Sequence, residues 1–509
     1  MRHVASYGLL VALISMVCPG PALDVTAQDP QVSPGESVRG YVDNDGAEQI
    51  WEFQPQRDQT LTVLVNAFSD GLDPAVAVWD EDDNLIAEND DRIPGLDRDA
   101  SASDIAFEGG TTYRIAVSGK GRGNYRLWLS PAYSQVWEAA EFEHDSRRWT
   151  TPYARQQRGQ LVLNPDRLIG RTFVVQPEGS VPLTDAYIQA EFEWLTRTEG
   201  AALGLVIRAQ QDEAATPAAY YFAITPDGAW SASYQQADTS EILIEPDTEG
   251  TLASDRITLG VRATGTTLTF YANGQEVGEH EDTRLERGTW GLYLESGGGD
   301  GSTVAVDNVL LTVPATDLDL EPPLTLDSWR SAQPAEIADE LASNDLIPAG
   351  GQRTLLILET SYQIGSQEQR TYPQGEATLR PTDMVISIDA AIADGDNLAC
   401  GIALRYVDDA NQTIAYMDLD GGMGLLEVSD GMIRRHTYDF ISESAAPLAD
   451  SMIRLLVIAR QDRVLMYVNG EYFTTHHAPP RQGQIGVALI NYSTLSSRCV
   501  YENLWVWQW

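Results

Sequence analysis

Apolar and polar residues alternate along most of this chain with a period of two. The pattern runs through Ser37-Val38, Tyr41-Val42, Ile50-Trp51, Leu61, Val63 and Val65, and again through Ala186 to Trp194, Ala219 to Ile224 and Thr267 to Tyr271. Each run has strand length and is bounded by Gly, Asp, Asn or Pro. Successive strand residues point to opposite faces, so this alternation predicts one face on a core and the other on solvent. Many such strands without amphipathic helices between them predict an all-β fold of packed antiparallel sheets.

A long repeat sets the domain count. Tyr271-Ala272-Asn273-Gly274, Gly288-Thr289-Trp290-Gly291 and Val306-Asp307-Asn308-Val309 return as Tyr467-Val468-Asn469-Gly470, Gly483-Gln484-Ile485-Gly486 and Tyr501-Glu502-Asn503-Leu504. The Asn-Gly pair moves from 273 to 469, an offset of 196, and the strand beginning at Gly204 returns at Gly401, an offset of 197. One module is therefore present twice. Asn-Gly between apolar strands predicts a tight hairpin, because both residues tolerate positive φ. Gly204 predicts a place where a neighbouring backbone approaches too closely for a side chain. The boundaries that follow are 28–131 for a leading sandwich, 132–314 for the first copy, 315–323 for a linker stiffened by Pro322-Pro323, and 324–509 for the second copy.

Residues 28–131 resemble the bacterial pre-peptidase C-terminal domain family, through Trp51-Glu52-Phe53, Asp73-Pro74 to Val78, Asn89-Asp90-Asp91, Ser103-Asp104-Ile105 and Gly123-Asn124-Tyr125. The resemblance implies a jelly-roll-like sandwich attached to an exported protein. The two copies are similar to the laminin-G and concanavalin-like superfamily, through the Gly204–Arg208 strand, the Asn273-Gly274 hairpin and the closing Asp307-Asn308. That resemblance implies curved antiparallel sandwiches with sugar or protein partners on a sheet face or rim. The fold expected overall is an N-terminal jelly-roll-like sandwich followed by two tandem concanavalin-like sandwiches.

The charge excludes some partners. Asp plus Glu number 75 against 33 Lys plus Arg, a net charge of −42. Such a surface repels phosphate backbones and anionic lipid, which argues against nucleic acid or membrane-surface binding. Residues 1–27 have the character of a secretory signal peptide: Arg2, an apolar core from Gly8 to Val17, and Val25-Thr26-Ala27 as the cleavage site. The remainder is expected to be exported, to the periplasm, the cell surface or the medium, without membrane insertion. Outside that leader, Cys400 and Cys499 are the cysteines of the chain. The repeat aligns them with Leu203 and Val304, two inward positions, and an oxidising compartment predicts that they pair.

Candidate chemistry is sparse. Some relatives of the leading domain's family bind calcium, and carboxylate-rich turns supply the hard oxygens that this ion takes. Asp73, Asn89, Asp90, Asp91 and Asp104 are the candidates. Aromatic faces stack on pyranose rings, which nominates Tyr220, Tyr221, Trp230 and Tyr234 in the first copy and Tyr406 and Tyr416 in the second. Trp505, Trp507 and Trp509 alternate on the last strand and are expected to pack beneath a neighbouring element. No catalytic set is nominated: Glu191-Phe192-Glu193-Trp194 lacks the third carboxylate of a retaining glucanase strand, and adjacent His476 and His477 point apart in a strand. The sequence thus predicts an exported, non-catalytic binding or adhesion protein for a glycan, an envelope polymer or another extracellular protein. A structural surface protein is the alternative, and a polysaccharide-acting hydrolase ranks third.

Overall fold

A computed structural model describes residues 30–509 apart from 69–70, 95, 143–146, 211–216, 238, 248–251, 317, 319, 396 and 441–451. The expected leader at 1–27 lies outside the described residues. The described chain is all-β, built from antiparallel sheets that pair into three sandwiches with separate apolar cores. Among the described residues no helix is long and apolar enough to cross a membrane.

The leading sandwich packs two four-stranded sheets. One orders Ser37–Val42, Gly123–Ser130, Gln59–Ala67 and Ala100–Phe107; the other orders Gln49–Phe53, Tyr113–Gly121, Leu72–Trp79 and Leu85–Asn89. Alternation within Leu72–Trp79 buries Leu72, Pro74, Val76 and Val78 and leaves the intervening residues half-buried, as the period-two pattern requires. Phe53, Phe107 and Tyr113 meet edge to face at 4.8 to 5.0 Å between neighbouring ring centres, which locks the two sheets together.

The two copies share one topology. In each, a front sheet of six strands faces a back sheet. The second copy's front sheet runs Glu368–Gln374, Gln484–Asn491, Leu398–Asp408, Asn411–Asp418, Gly422–Ser429 and Met432–Phe440, and its back sheet ends on Arg463–Val468 and Glu471–His477. The first copy repeats the order with Ala201–Gln210, Ala218–Ile224 and Trp230–Gln236 in the middle of its front sheet, and it adds Gln135–Ala140 and a hairpin to its back sheet.

Both hairpin turns adopt the expected conformation, with φ of 48° at Asn273 and Asn469 and positive φ at Gly274 and Gly470. A Cβ on Gly204 would lie 1.8 Å from the carbonyl oxygen of Phe222, and one on Gly401 would lie 2.0 Å from that of Ala415. The strand therefore requires glycine in both copies. Arg208 and Arg405 follow four residues later, both buried and both at φ 53°. Arg208 donates to the carbonyls of Thr184, Gly265 and Leu285; Arg405 donates to those of Thr382, Gln461 and Ala478. One guanidinium thus ties three loops in each sandwich by satisfying carbonyls that burial would otherwise orphan.

One short helix accompanies the strands of the all-β fold. Pro334–Ser343 forms an α-helix, α1, started by Pro334 in the first turn, where its missing N–H costs nothing. Ile337, Ala338 and Leu341 face down onto Val385, Leu456, Tyr467 and Trp505 on the outer side of the second copy's back sheet. Trp505 is buried there, with Trp507 and Trp509 packed at the margin of the same cluster. The tryptophan stripe therefore packs beneath a neighbouring element, as its alternation predicted.

Candidate functional site

The nominated aromatics divide by strand parity. In Ala218–Ile224, Tyr220 and Phe222 point inward while Tyr221 points outward, where it meets Tyr293 at 5.1 Å between ring centres. Trp230 and Tyr234 also point inward. The ligand role expected for Tyr220, Trp230 and Tyr234 is thereby corrected: they are core side chains. The Tyr220 hydroxyl donates to Asp282 at 2.8 Å, and burial together with that carboxylate pushes its pKa up to about 12. Arg284 lies 4.0 Å over the Tyr234 ring. The clustering of these residues on one hairpin reflected a core packed with rings.

Tyr406 and Tyr416 lie on the outer face of the second copy's front sheet, above a floor of Ala399, Ala403, Ile414, Leu426 and Val428. Tyr416 and Tyr438 stand in line on the two strands that flank Gly422–Ser429, both in register with Gly424. A Cβ at Gly424 would fall 2.2 Å from the Tyr416 ring, and one at Gly422 would fall 2.0 Å from the Tyr438 hydroxyl. The two glycines therefore let the rings lie across the sheet instead of standing off it. His436 accepts or donates at 2.7 Å to the Tyr416 hydroxyl, and Tyr438 donates to Asp418 at 2.6 Å. Ring centres follow at 6.1 Å from Tyr416 to His436, 6.3 Å to Tyr438 and 5.7 Å to Phe440. The hydrogen bond to Asp418 raises the Tyr438 pKa to about 12, so its hydroxyl stays protonated in any physiological medium. Tyr438 is 43% exposed and Phe440 and Tyr492 are each 59% exposed. Sequence reasoning found Tyr416 and Tyr406 but missed His436, Tyr438 and Phe440, although their alternation along Met432–Phe440 was the available signal.

Asp418 is committed to its turn. Its Oδ1 accepts from the backbone N–H of Asp420 and Gly422 at 3.0 and 2.7 Å, and its Oδ2 accepts from Tyr438. Asp409, beside the Tyr406 hydroxyl at 3.4 Å, has its carboxyl pKa raised, chiefly by burial.

The calcium candidates are scattered. Asp73 lies 3.6 Å from Lys120. Asn89 accepts from the Ser101 N–H at 2.8 Å and donates to the carbonyl of Asp91 at 3.0 Å, so the Asn89–Asp91 run shapes its own turn. Asp104 belongs to the other sheet and lies 3.8 Å from Arg262. Among the described residues no group of three or more His, Cys, Asp or Glu side chains converges as a metal site would need.

Cys400 and Cys499 are disulfide-bonded, with Cα atoms 6.0 Å apart. Cys400 belongs to the front sheet and Cys499 to the back sheet, so the bond staples the second sandwich through its core.

The three sandwiches meet around a cavity of about 210 Å³. It lies where the edge strands Met432–Phe440 and Glu471–His477 of the second copy part, closed by Arg92 to Asp99 of the leading domain and by Gln135–Ala140 of the first copy. Buried Asp97 takes Arg92 at 3.2 Å and also pairs with Arg435, which reaches the carbonyl of Leu96 as well. These two arginines hold the Asp97 carboxyl well below the usual carboxylate range despite its burial. His477 lies 3.2 Å from Asp462, whose other contacts include Gln135 at 2.6 Å and Thr316 at 2.9 Å. His476 turns to Thr437 at 2.8 Å, and burial, reinforced by Arg435 and His436, drives its pKa down to about 3. The adjacent histidines thus use different partners, as strand geometry required. Sequence reading alone did not find this cavity, because its walls come from segments more than 300 residues apart.

No family model and no curated protein matches the chain. Among solved structures it is similar to a carbohydrate binding module, CBM66, from Bacillus subtilis, at 17% identity over 30% of this chain and 92% of that one, with a TM-score of 0.23. It is also similar to the catalytic domain of an endo-1,3-β-glucanase (laminarinase) from Thermotoga petrophila, at 10% identity over 36% and 98% of the two chains with a TM-score of 0.27. The endo-β-1,3-glucanase of Pyrococcus furiosus matches at 11% identity over 35% and 93%, with a TM-score of 0.27.

Proposed function

We propose that this chain is an exported, non-catalytic binding protein that takes a glycan or envelope polymer across the outer face of the second copy's front sheet. The observation that carries this reading is the row Tyr416, His436, Tyr438 and Phe440, laid across the sheet on Gly422 and Gly424 and exposed at its outer end. Ring faces cover the apolar CH side of a pyranose while hydroxyl and imidazole groups meet its hydroxyls, and successive rings suit successive sugar units. Rigid strands hold the row in place, so little side-chain order is lost on binding. The commitment of Asp418 to its turn supports binding over hydrolysis, since retaining or inverting hydrolysis needs a pair of carboxyl groups flanking the scissile bond. The resemblance to pre-peptidase C-terminal and laminin-G-like modules supports the same reading, and so does the leader expected at 1–27.

The test is retention on insoluble and immobilised polysaccharides by the mature protein and by Y438A/F440A. Retention that the double variant loses, without release of reducing sugar, supports the reading. Release of reducing sugar would make the chain a hydrolase, and no retention on any polymer would leave the structural surface role.

A further inference from the structure

We infer that the three-domain cavity is a second binding site, for a single carboxylated pyranose such as a uronic acid residue. It adjoins the aromatic row, sharing His436 at its rim, and recognises different chemistry.

The argument starts from charge. The chain carries −42, yet this cavity is lined by Arg92, Arg98, Arg434, Arg435 and Arg481, together with three of the six histidines. Four carboxylates share the wall: Asp97, Asp99, Glu138 and Glu427. Asp97 is consumed by Arg92 and Arg435, and Glu138 by Arg148 at 2.6 Å. That leaves Arg98, Arg434 and Arg481 with no carboxylate in ion-pair contact among the described residues.

Arg481 is the decisive side chain. It is only 7% exposed, and its one hydrogen bond among the described residues is from Nη2 to the Ser429 hydroxyl at 2.7 Å. Among the described residues its Nε–H has no acceptor. Burial, and repulsion from Arg148 after it, lower its pKa. Glu138, Glu427 and Asp430 offset part of that repulsion, but none of them pairs with the guanidinium among the described residues, so an incoming oxyanion can take up its unused donor. Arg434 and the exposed Arg98 add donors nearer solvent, and exposed Ile433 and His436 belong to the same rim.

The rest of the wall suits a sugar. Trp137 offers an aromatic surface, and Thr474 together with the remaining hydrogen-bonding capacity of Asn66 and Thr437, which already engage Arg92 and His476, offers short polar groups for ring hydroxyls. At about 210 Å³ the cavity is smaller than the roughly 300–1,000 Å³ of pockets for drug-sized molecules, which fits one sugar unit and not a polymer segment.

The experiment is calorimetric titration of the mature full-length protein with glucuronate, galacturonate, glucose and acetate, repeated on R434Q and R481Q. A uronate should bind with at least tenfold preference over both glucose and acetate. R434Q and R481Q should each lose at least tenfold in that affinity while Y438A/F440A keeps it, and R434Q, a half-buried side chain, should retain the parental melting temperature. Equal binding of glucose would show that the carboxylate is not read, and equal binding of acetate would show that the ring is not. Either result, or absence of uronate binding at millimolar concentration, would overturn the assignment, whereas loss of polysaccharide retention alone would bear only on the aromatic row.

Discussion

Asp97 in the leading sandwich pairs with Arg435 on the edge strand of the last one, 338 residues further along the chain. The carboxylate is 2% exposed and the guanidinium 18% exposed. Removing one partner of a buried pair strands the other, which costs about 3–5 kcal/mol. D97N should therefore destabilise the protein by about 3 kcal/mol, since Arg92 and Arg435 would both face a neutral amide. The measurement is urea unfolding, with small-angle scattering to follow the packing of the leading domain against the second copy. The sign with pH follows from the depressed native pKa: the contribution is complete above the unfolded value of about 3.9 and disappears as pH falls through the native one. D97N should accordingly flatten the acid limb of the stability curve.

His476 gives a second and earlier acid limb. Its native pKa lies near 3 against about 6.5 unfolded, because burial and the positive Arg435 keep the ring neutral. The unfolded chain therefore takes up a proton that the folded one refuses, and stability falls with falling pH between about 6.5 and 3 at about 1.4 kcal/mol per unit. Half-buried Asp99 and buried Asp430 have raised pKa values and act in the opposite direction. The quantity to compare is thus the slope of the parent against H476Q. Between pH 6.5 and 5 the parent should lose about 2 kcal/mol more than the variant; equal slopes would contradict the buried neutral imidazole.

The disulfide should matter to one copy only. Closing a loop across 99 residues of sequence restricts the unfolded chain, an effect typically worth about 2–4 kcal/mol. Reduction should lower the melting of the second copy while leaving the first unchanged, because Leu203 and Val304 fill the aligned positions there without a bond. C400L/C499V should reproduce the reduced protein's loss of stability, to within the packing change that larger side chains impose. Differential scanning calorimetry with and without reductant separates the transitions.

Much of this architecture was legible because it depends on local rules. Period-two alternation gave the strands, Asn273-Gly274 and Asn469-Gly470 gave the hairpins, and the repeat placed Cys400 against Cys499 through two inward positions. The helix Pro334–Ser343 was missed because ten residues make fewer than three turns and carry a weak apolar period of Ile337, Ala338 and Leu341. The site was legible only in part. Strand parity assigns Tyr221 and Tyr416 to the outer face, but which face is inner depends on the other sheet, so Tyr220, Trp230 and Tyr234 looked equally available. The junction of Asp97, Arg435 and His477 left no local signal at all, since only tertiary packing brings those segments together.

The glycines under the aromatic row allow binding and folding to be separated. A Cβ at Gly424 would meet the far end of the Tyr416 ring at 2.2 Å, a side-chain end that must shift although the ring itself is buried. A Cβ at Gly401, two strands away on the same sheet, would meet the Ala415 carbonyl at 2.0 Å, which cannot move without breaking the strand pair. G424A should therefore tilt Tyr416 out of line and cut polysaccharide retention several-fold with a modest stability change, on the order of 1 kcal/mol. G401A should destabilise the second copy by several kcal/mol through overpacking against backbone. If G424A instead unfolds the domain, the ring is a structural prop; if it leaves retention intact, the sugar does not lie across Tyr416. A folded G424A protein with lost retention would place the polymer on this row of rings.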